Sequence, residues 1–517
     1  MNRSLFIIFG SALVLSTLLL ALSSLGNRPG PVPPAPTVTS AAGKSAAPAV
    51  EPLLVYCAAS NRAVMEAVKS DYEAEFGVPV NMQYGPSQTL LSNLQVSDTG
   101  DLFLPADDSY LAVAREKGVV EETIPVAEMQ AVLAVRRDRA LSLESLAQLL
   151  QSDFKIVQAN PDAAAISKLA RDALTPTGAW DRLAARTVAF KGTVNEVAND
   201  VQVGAADVGI VFDAVLHTMP ELASVHVPEL DSVRAQVSIG VASASRQPQR
   251  ALHFARYLSA PEKGQRRYSE YGFRSVPGDP WADSPELSLF SGSMLRPAIE
   301  QTIIDFEQRE GVRVNRVYNG CGILVAQMKA GQVPDAYFAC DTEFMQQVHD
   351  LFPHPTDVSQ NELVILVPKG NPRGIASLRD LTKPGLRVGI GHEKQCAMGW
   401  LTQKTLKEGN VQTEVMANVT VQTPTGDMLV NQMKAGSLDA AVAYISNAAG
   451  SGDVLDAVRI KNIPCAVATQ PFAVAQTAKY PRLMERLLER LESAKSESLF
   501  LRNGFSWKAA TKSDEVR

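Results

Sequence analysis

Leu54-Val-Tyr-Cys-Ala-Ala-Ser60 and Leu287-Ser-Leu-Phe-Ser-Gly-Ser293 are two versions of one short apolar strand that ends in a small-residue turn and a serine. Four more pairs follow in the same order. Asp71-Tyr-Glu-Ala-Glu-Phe-Gly-Val-Pro-Val80 matches Asp305-Phe-Glu-Gln-Arg-Glu-Gly-Val-Arg-Val314, and each reads as a helix end, a glycine C-cap and a new strand. Gly100-Asp-Leu-Phe-Leu-Pro-Ala-Asp107 matches Pro334-Asp-Ala-Tyr-Phe-Ala-Cys-Asp341, and Asp207-Val-Gly-Ile-Val-Phe212 matches Asp439-Ala-Ala-Val-Ala-Tyr444. The copies close with Tyr271-Gly-Phe273 and Asn503-Gly-Phe505. Ser60 and Ser293 are 233 residues apart, Asp101 and Asp335 234, Phe212 and Tyr444 232, and Gly272 and Gly504 232. Isolated short motifs do not hold register to within two residues over such a length. The chain therefore carries two tandem copies of one unit.

The copies occupy residues 51–278 and 285–510, joined near the Pro/Asp-rich connector Pro277–Pro285. A chain of 517 residues is too long for one domain. Within each copy, short apolar strands alternate with amphipathic helical stretches such as Arg62–Phe76 and Pro297–Arg309. That alternation predicts an α/β fold with mostly parallel sheets. A copy of about 220 residues suits two α/β lobes around a cleft.

Composition narrows the function. A net charge of −6 and a pI near 5.7 leave no basic footprint, so no nucleic-acid partner is expected. Arg3 precedes an uncharged apolar run from Leu5 to Leu22, which reads over residues 1–26 as an export signal or a membrane anchor. The Pro/Ala/Ser-rich stretch 27–50 reads as a flexible linker.

In an α/β lobe, ligands sit beyond the carboxyl ends of the strands, where the next helices start. Free N–H groups and the positive dipole end favour anions there. Ser60 ends the first strand, and Ser87, in Tyr84-Gly-Pro-Ser-Gln-Thr89, precedes a helix expected from about Leu90. A serine at such a turn can be a plain N-cap or a ligand donor. Two such turns recurring at matched positions in each copy keep the donor reading open.

These stretches resemble the molybdate-binding periplasmic proteins of ABC importers, which have the type II periplasmic binding fold. Ala58-Ala-Ser60, Gly85-Pro-Ser-Gln-Thr-Leu90, Gly100–Asp107, Val208–Ala214 and Tyr271–Phe273 carry the likeness in copy one. Ser291-Gly-Ser293, Pro334-Asp335, Ala440–Tyr444 and Gly504-Phe505 carry it in copy two, and Thr425–Ala440 is similar to the tungstate/molybdate branch. The resemblance implies two tandem type II modules and a tetrahedral oxyanion held by neutral donors, with molybdate or tungstate leading. It also implies no catalysis and no cofactor, a separate ABC permease in the membrane, and a periplasmic or cell-surface location, with a tether possible through residues 5–22. Carried onto copy one, the ligand set is Ser60, Ser87, backbone N–H groups near Ala165 and Val194, and Phe212 at the position of a tyrosine. Phe212 departs from the pattern because it has no hydroxyl. In copy two the set is Ser293, Cys321 in place of the second serine, N–H groups near Met398 and Gly426, and Tyr444. A thiol is a weaker donor than a hydroxyl.

Four of the five cysteines lie in copy two. Cys321 and Cys396 could bridge the cleft as a disulfide, or join His392 in a soft-metal site, or be buried without a role. Cys340 and Cys465 read as buried small residues. Cys321 with His392 is the one nucleophile–base candidate. A tethered sensor with diverged clefts, or a metal- or redox-handling protein using these cysteines, are the alternatives to oxyanion binding. The charged run Arg482–Lys495 reads as a solvated helix face.

Overall fold

The computed structural model describes residues 51–97, 99–139 and 143–508. The expected signal or anchor and the linker lie outside them. Among the described residues no helix is long and apolar enough to cross a membrane.

Each copy builds one ten-stranded mixed sheet with helices packed against it. In copy one, β1 (Leu53–Ala58) runs parallel to β2 (Val80–Gly85) and β3 (Leu102–Leu104). Only Leu54 of β1 escapes full burial, which is the continuous apolar pattern of a strand covered on both faces. The long strand β4 (Val120–Arg136) joins two lobes. Its first part pairs through Gln130 with β9 (Arg234–Ala242) in the first lobe. From Ala131 it pairs instead with β7 (Val208–Phe212) and β8 (Leu222–Val225) in the second. There β5 (Ile156–Ala159) lies parallel to both β6 (Thr187–Lys191) and β7. The chain returns between β8 and β9, and β10 (Arg274–Ser275) closes against β4. The strand β4 and the segment between β8 and β9 thus link the lobes, a hinge arrangement.

Copy two repeats this order. Its strands are β11 (Glu286–Gly292), β12 (Arg313–Asn319), β13 (Ala336–Phe338), β14 (Thr356–Pro368), β15 (Val388–Gly391), β16 (Val419–Thr423), β17 (Ala440–Tyr444), β18 (Leu455–Arg459), β19 (Val467–Val474) and β20 (Ser506–Trp507). The order β2-β1-β3-β9-β4-β7-β5-β6 becomes β12-β11-β13-β19-β14-β17-β15-β16. The glycine C-caps expected from the repeat are present. Gly77 and Gly311 end the Arg62–Phe76 and Arg296–Glu310 helices at φ 65° and 67°, a left-handed turn that any side chain would strain.

The copies pack on each other through their first lobes. Glu310, 2% exposed, lies between Arg256 of copy one and Arg486 of copy two. Glu121 and Glu122 of copy one meet both Arg309 and Arg490. Asp279 of the connector accepts the Arg482 and Leu483 N–H groups, each at 2.9 Å, at the start of the Pro481–Leu491 helix. The Arg482–Lys495 run is therefore not a solvated face. Its helical spacing was legible, but which of its charges meet a neighbouring module is fixed only by the tertiary fold.

Candidate functional site

The five positions singled out in copy one converge. Ser60 lies in the tight turn Ala59–Asn61 after β1, and Ser87 is the first residue of the Ser87–Val96 helix after β2. That helix starts three residues earlier than the sequence suggests. From the second lobe, Ala165 and Val194 open the Ala165–Leu174 and Val194–Gln202 helices, and Phe212 ends β7. All five line one cavity of about 20 Å³. A single water needs roughly 10–15 Å³, so the space suits a small ion and not an organic cofactor. Its lining includes no charged side chain among the described residues.

The hydroxyls are set up as donors. Neither serine caps its helix, since the N-cap positions fall on Asn61 and Pro86, and neither side chain there makes a capping bond. Ser87 Oγ accepts the Ala106 N–H at 3.1 Å, and Ser60 Oγ accepts from Asn61 Nδ2 at 3.4 Å. With a lone pair engaged by the protein, each hydroxyl keeps its own proton to donate. Ala164, at the N-cap of the Ala165–Leu174 helix, has no side chain that could take the first N–H groups. Thr193 caps its helix through the Glu196 N–H, one turn in from Val194. A bond from Gln88 N–H to Ala163 O, at 3.2 Å, ties the lobes together beside the cavity. Phe212, 1% exposed, closes the wall without a polar atom.

Copy two keeps the frame and changes the atoms. Cys321 opens the Cys321–Lys329 helix, and its sulfur accepts the Cys340 N–H at 3.1 Å. This is the Ala106-to-Ser87 bond displaced by 234 residues at both ends. Gly322 N–H donates to Gln395 O at 3.1 Å, matching the lobe-to-lobe bond of copy one. The helices opened by Ala165 and Val194 are matched by Ala397–Glu408 and Gly426–Lys434, so Met398 is the second residue of its helix. Ser293, half-buried, begins the turn Ser293–Leu295. Tyr444 ends β17 with a buried hydroxyl that has no partner among the described residues. Burial drives that phenol far above its ordinary value, so it stays protonated and able to donate.

One group escaped the sequence reading. Cys340, expected to be a bland buried residue, has its sulfur at the point copy one leaves to alanines. A Cβ on Gly292 would meet Cys340 Sγ at 2.0 Å and Cys321 Sγ at 3.2 Å. Alanine stands at the matched position 59, so the glycine makes room for the sulfur. Cys396 takes the position of Ala164. Burial pushes its thiol up to about 12, partly offset by the Gly399 and Met398 N–H groups at the helix start. Aligning the two copies residue by residue exposes the signal: cysteine replaces Ser87, Ala106 and Ala164 in turn.

The bridge, metal and nucleophile readings find no support among the described residues. All five cysteines are free thiols, so Cys321 and Cys396 form no bridge in this structure. Among the described residues no group of three or more His, Cys, Asp or Glu is arranged to hold a metal ion. His392 instead accepts the Cys396 N–H on its carbonyl and the Lys394 N–H on Nδ1. The hydrogen bond on the His392 ring comes from Lys394, and among the described residues none joins it to Cys321.

The sequence model of the bacterial extracellular solute-binding protein family matches residues 53–274 and again residues 287–506. The chain belongs to this family. Relatives of this solute-binding protein align with about the length of one module. The molybdate-binding protein ModA of Mycobacterium tuberculosis (strain ATCC 25618 / H37Rv) is 26% identical over 236 residues, 45% of this chain and 88% of its own length. A putative binding protein of Haemophilus influenzae is 25% identical over 228 residues, 43% of this chain and 90% of its own length. The solved periplasmic molybdate-binding protein of Azotobacter vinelandii has 18% identity over 44% of this chain and 99% of that chain, with a TM-score of 0.39. These relatives are named as binding proteins and not as enzymes.

Proposed function

We propose that the solute-binding protein takes up a tetrahedral oxyanion, molybdate or tungstate, in the first-module cavity and delivers it to a separate ABC permease outside the cytoplasm. One observation carries the reading: a small cavity where two serine hydroxyls and two helix starts meet and, among the described residues, no charged side chain lines the wall. Such a site stabilises a dianion by fixed dipoles. It offers donors and no carboxylate acceptor, so it favours a fully deprotonated dianion over hydrogen phosphate, whose proton needs an acceptor. The names of the relatives favour molybdate among such dianions. Closure of the lobes about β4 traps the ion, and the closed form is what the permease reads. Module two, with Cys321 for a serine, binds more weakly.

Calorimetric titration of the whole chain with molybdate, tungstate, sulfate and phosphate tests this. The expected result is micromolar or tighter binding of molybdate or tungstate, lost in the Ser60→Ala/Ser87→Ala double variant. No heat from any of the four anions contradicts the proposal.

A further inference from the structure

The second-module cleft holds a feature that anion binding does not use. Cys321 and Cys340 come from turns after β12 and β13, the two strands that flank β11. Their sulfurs lie 3.2 and 2.0 Å, respectively, from one point above Gly292, so they are within about 5 Å of each other. The Cys340 nitrogen is 3.1 Å from the Cys321 sulfur. Its Cα, one bond of about 1.5 Å farther, lies within about 4.6 Å of that sulfur. No side chain of residue 292 intrudes on the pair, because that position is glycine.

We propose that Cys321 and Cys340 are a dithiol–disulfide pair, a redox-modifiable site in the cleft of module two. Both cysteines are on the first lobe, so the bond does not lock the lobes as a Cys321–Cys396 bridge would. It removes the Cys321 thiol from the cleft as a donor. Burial raises the Cys321 thiol, but the Cys340 thiol, the Tyr337 hydroxyl and the Cys340 N–H together hold it below the ordinary value, while Cys340 is raised well above. The Cys340 N–H donated to Cys321 Sγ at 3.1 Å stabilises a thiolate there, so Cys321 is the attacking sulfur.

The oxidant is a low-molecular-weight disulfide. The Cys321 thiolate attacks one of its sulfurs, that S–S bond breaks, and the first thiol leaves with the proton Cys321 gave up. The Cys340 thiolate then attacks Cys321 Sγ, forming the protein disulfide and releasing the second thiol with the Cys340 proton. Two protein thiols are oxidised and one disulfide is reduced to two thiols. Cys321 is fully buried and Gly322 is bonded to Gln395 across the cleft, so the reaction needs the lobes to part. The inference concerns sulfur chemistry and stands whether or not either cleft binds an oxyanion.

The test is incubation of the whole chain with oxidised glutathione, then alkylation and non-reducing peptide mapping. Free thiols should fall by two from five, with Cys321 and Cys340 in one cross-linked peptide that dithiothreitol separates. In Cys340→Ala, Cys321 should instead carry glutathione as a mixed disulfide. The inference is overturned if Cys321 and Cys340 both remain alkylatable after oxidation, or if the internal cross-link joins Cys321 to Cys396.

Discussion

Ser87→Ala removes two things at once, and the structure separates them. The hydroxyl is 2% exposed, accepts the Ala106 N–H at 3.1 Å and keeps its own proton for the cavity. Loss of a hydrogen bond to a charged ligand costs about 1.5–3 kcal/mol. At about 1.4 kcal/mol per tenfold, anion affinity should drop by roughly 10- to 150-fold. The orphaned, buried Ala106 N–H costs about 1–3 kcal/mol of stability in the ligand-free protein. Ser87→Cys divides the effects. Cys321 shows that a sulfur at this position still accepts the matched N–H, at 3.1 Å. The thiol should therefore restore most of the stability and little of the affinity. Calorimetric titration gives the first quantity and urea unfolding the second. If Ser87→Ala binds within twofold of wild type while losing stability, the hydroxyl is only a turn-stabilising acceptor and the donor account is refuted.

Three other outcomes follow from the same geometry. Phe212→Tyr places a hydroxyl where Tyr444 has one without a partner in copy two; oxyanion titration should show tightening of about tenfold or more, from an added charge-assisted bond of roughly 1.5–3 kcal/mol. Glu310→Ala strands Arg256 and Arg486, both 7% exposed at the side chain, without a counter-charge; urea unfolding should show a loss of about 3–5 kcal/mol. Burial pushes Asp108 and Asp341 each up to about 6, above an unfolded value near 3.9. A carboxyl raised by folding binds its proton more tightly in the native state, so these two make stability rise as pH is lowered from about 7 to about 4. Urea midpoints across that range should lose part of this slope in Asp108→Asn/Asp341→Asn.

The repeat and the α/β class were legible because helix caps and buried strands leave local marks. Gly77 and Gly311 sit where the C-cap pattern put them, and the strand that leads into Ser60 recurs ahead of Ser293 with the same pairing. The placement of the first-module candidate residues was readable because they stand at strand ends and helix starts, which pattern alone locates. The thiol cluster was not, because Cys340 becomes significant only when Gly292 lets its sulfur approach, and that approach joins residues 48 positions apart. The Arg486–Glu310 contact is longer in range still, at 176 positions, and no spacing rule distinguishes it from a solvated charge.

The most direct measurement is a crystal structure of the whole chain grown with tungstate, using the anomalous signal of the metal to place the ion. One peak in the first-module cavity, within hydrogen-bond reach of Ser60 and Ser87 Oγ and of the Ala165 and Val194 helix starts, is the predicted result. Peaks only beside surface arginines and lysines, with that cavity empty, contradict the account.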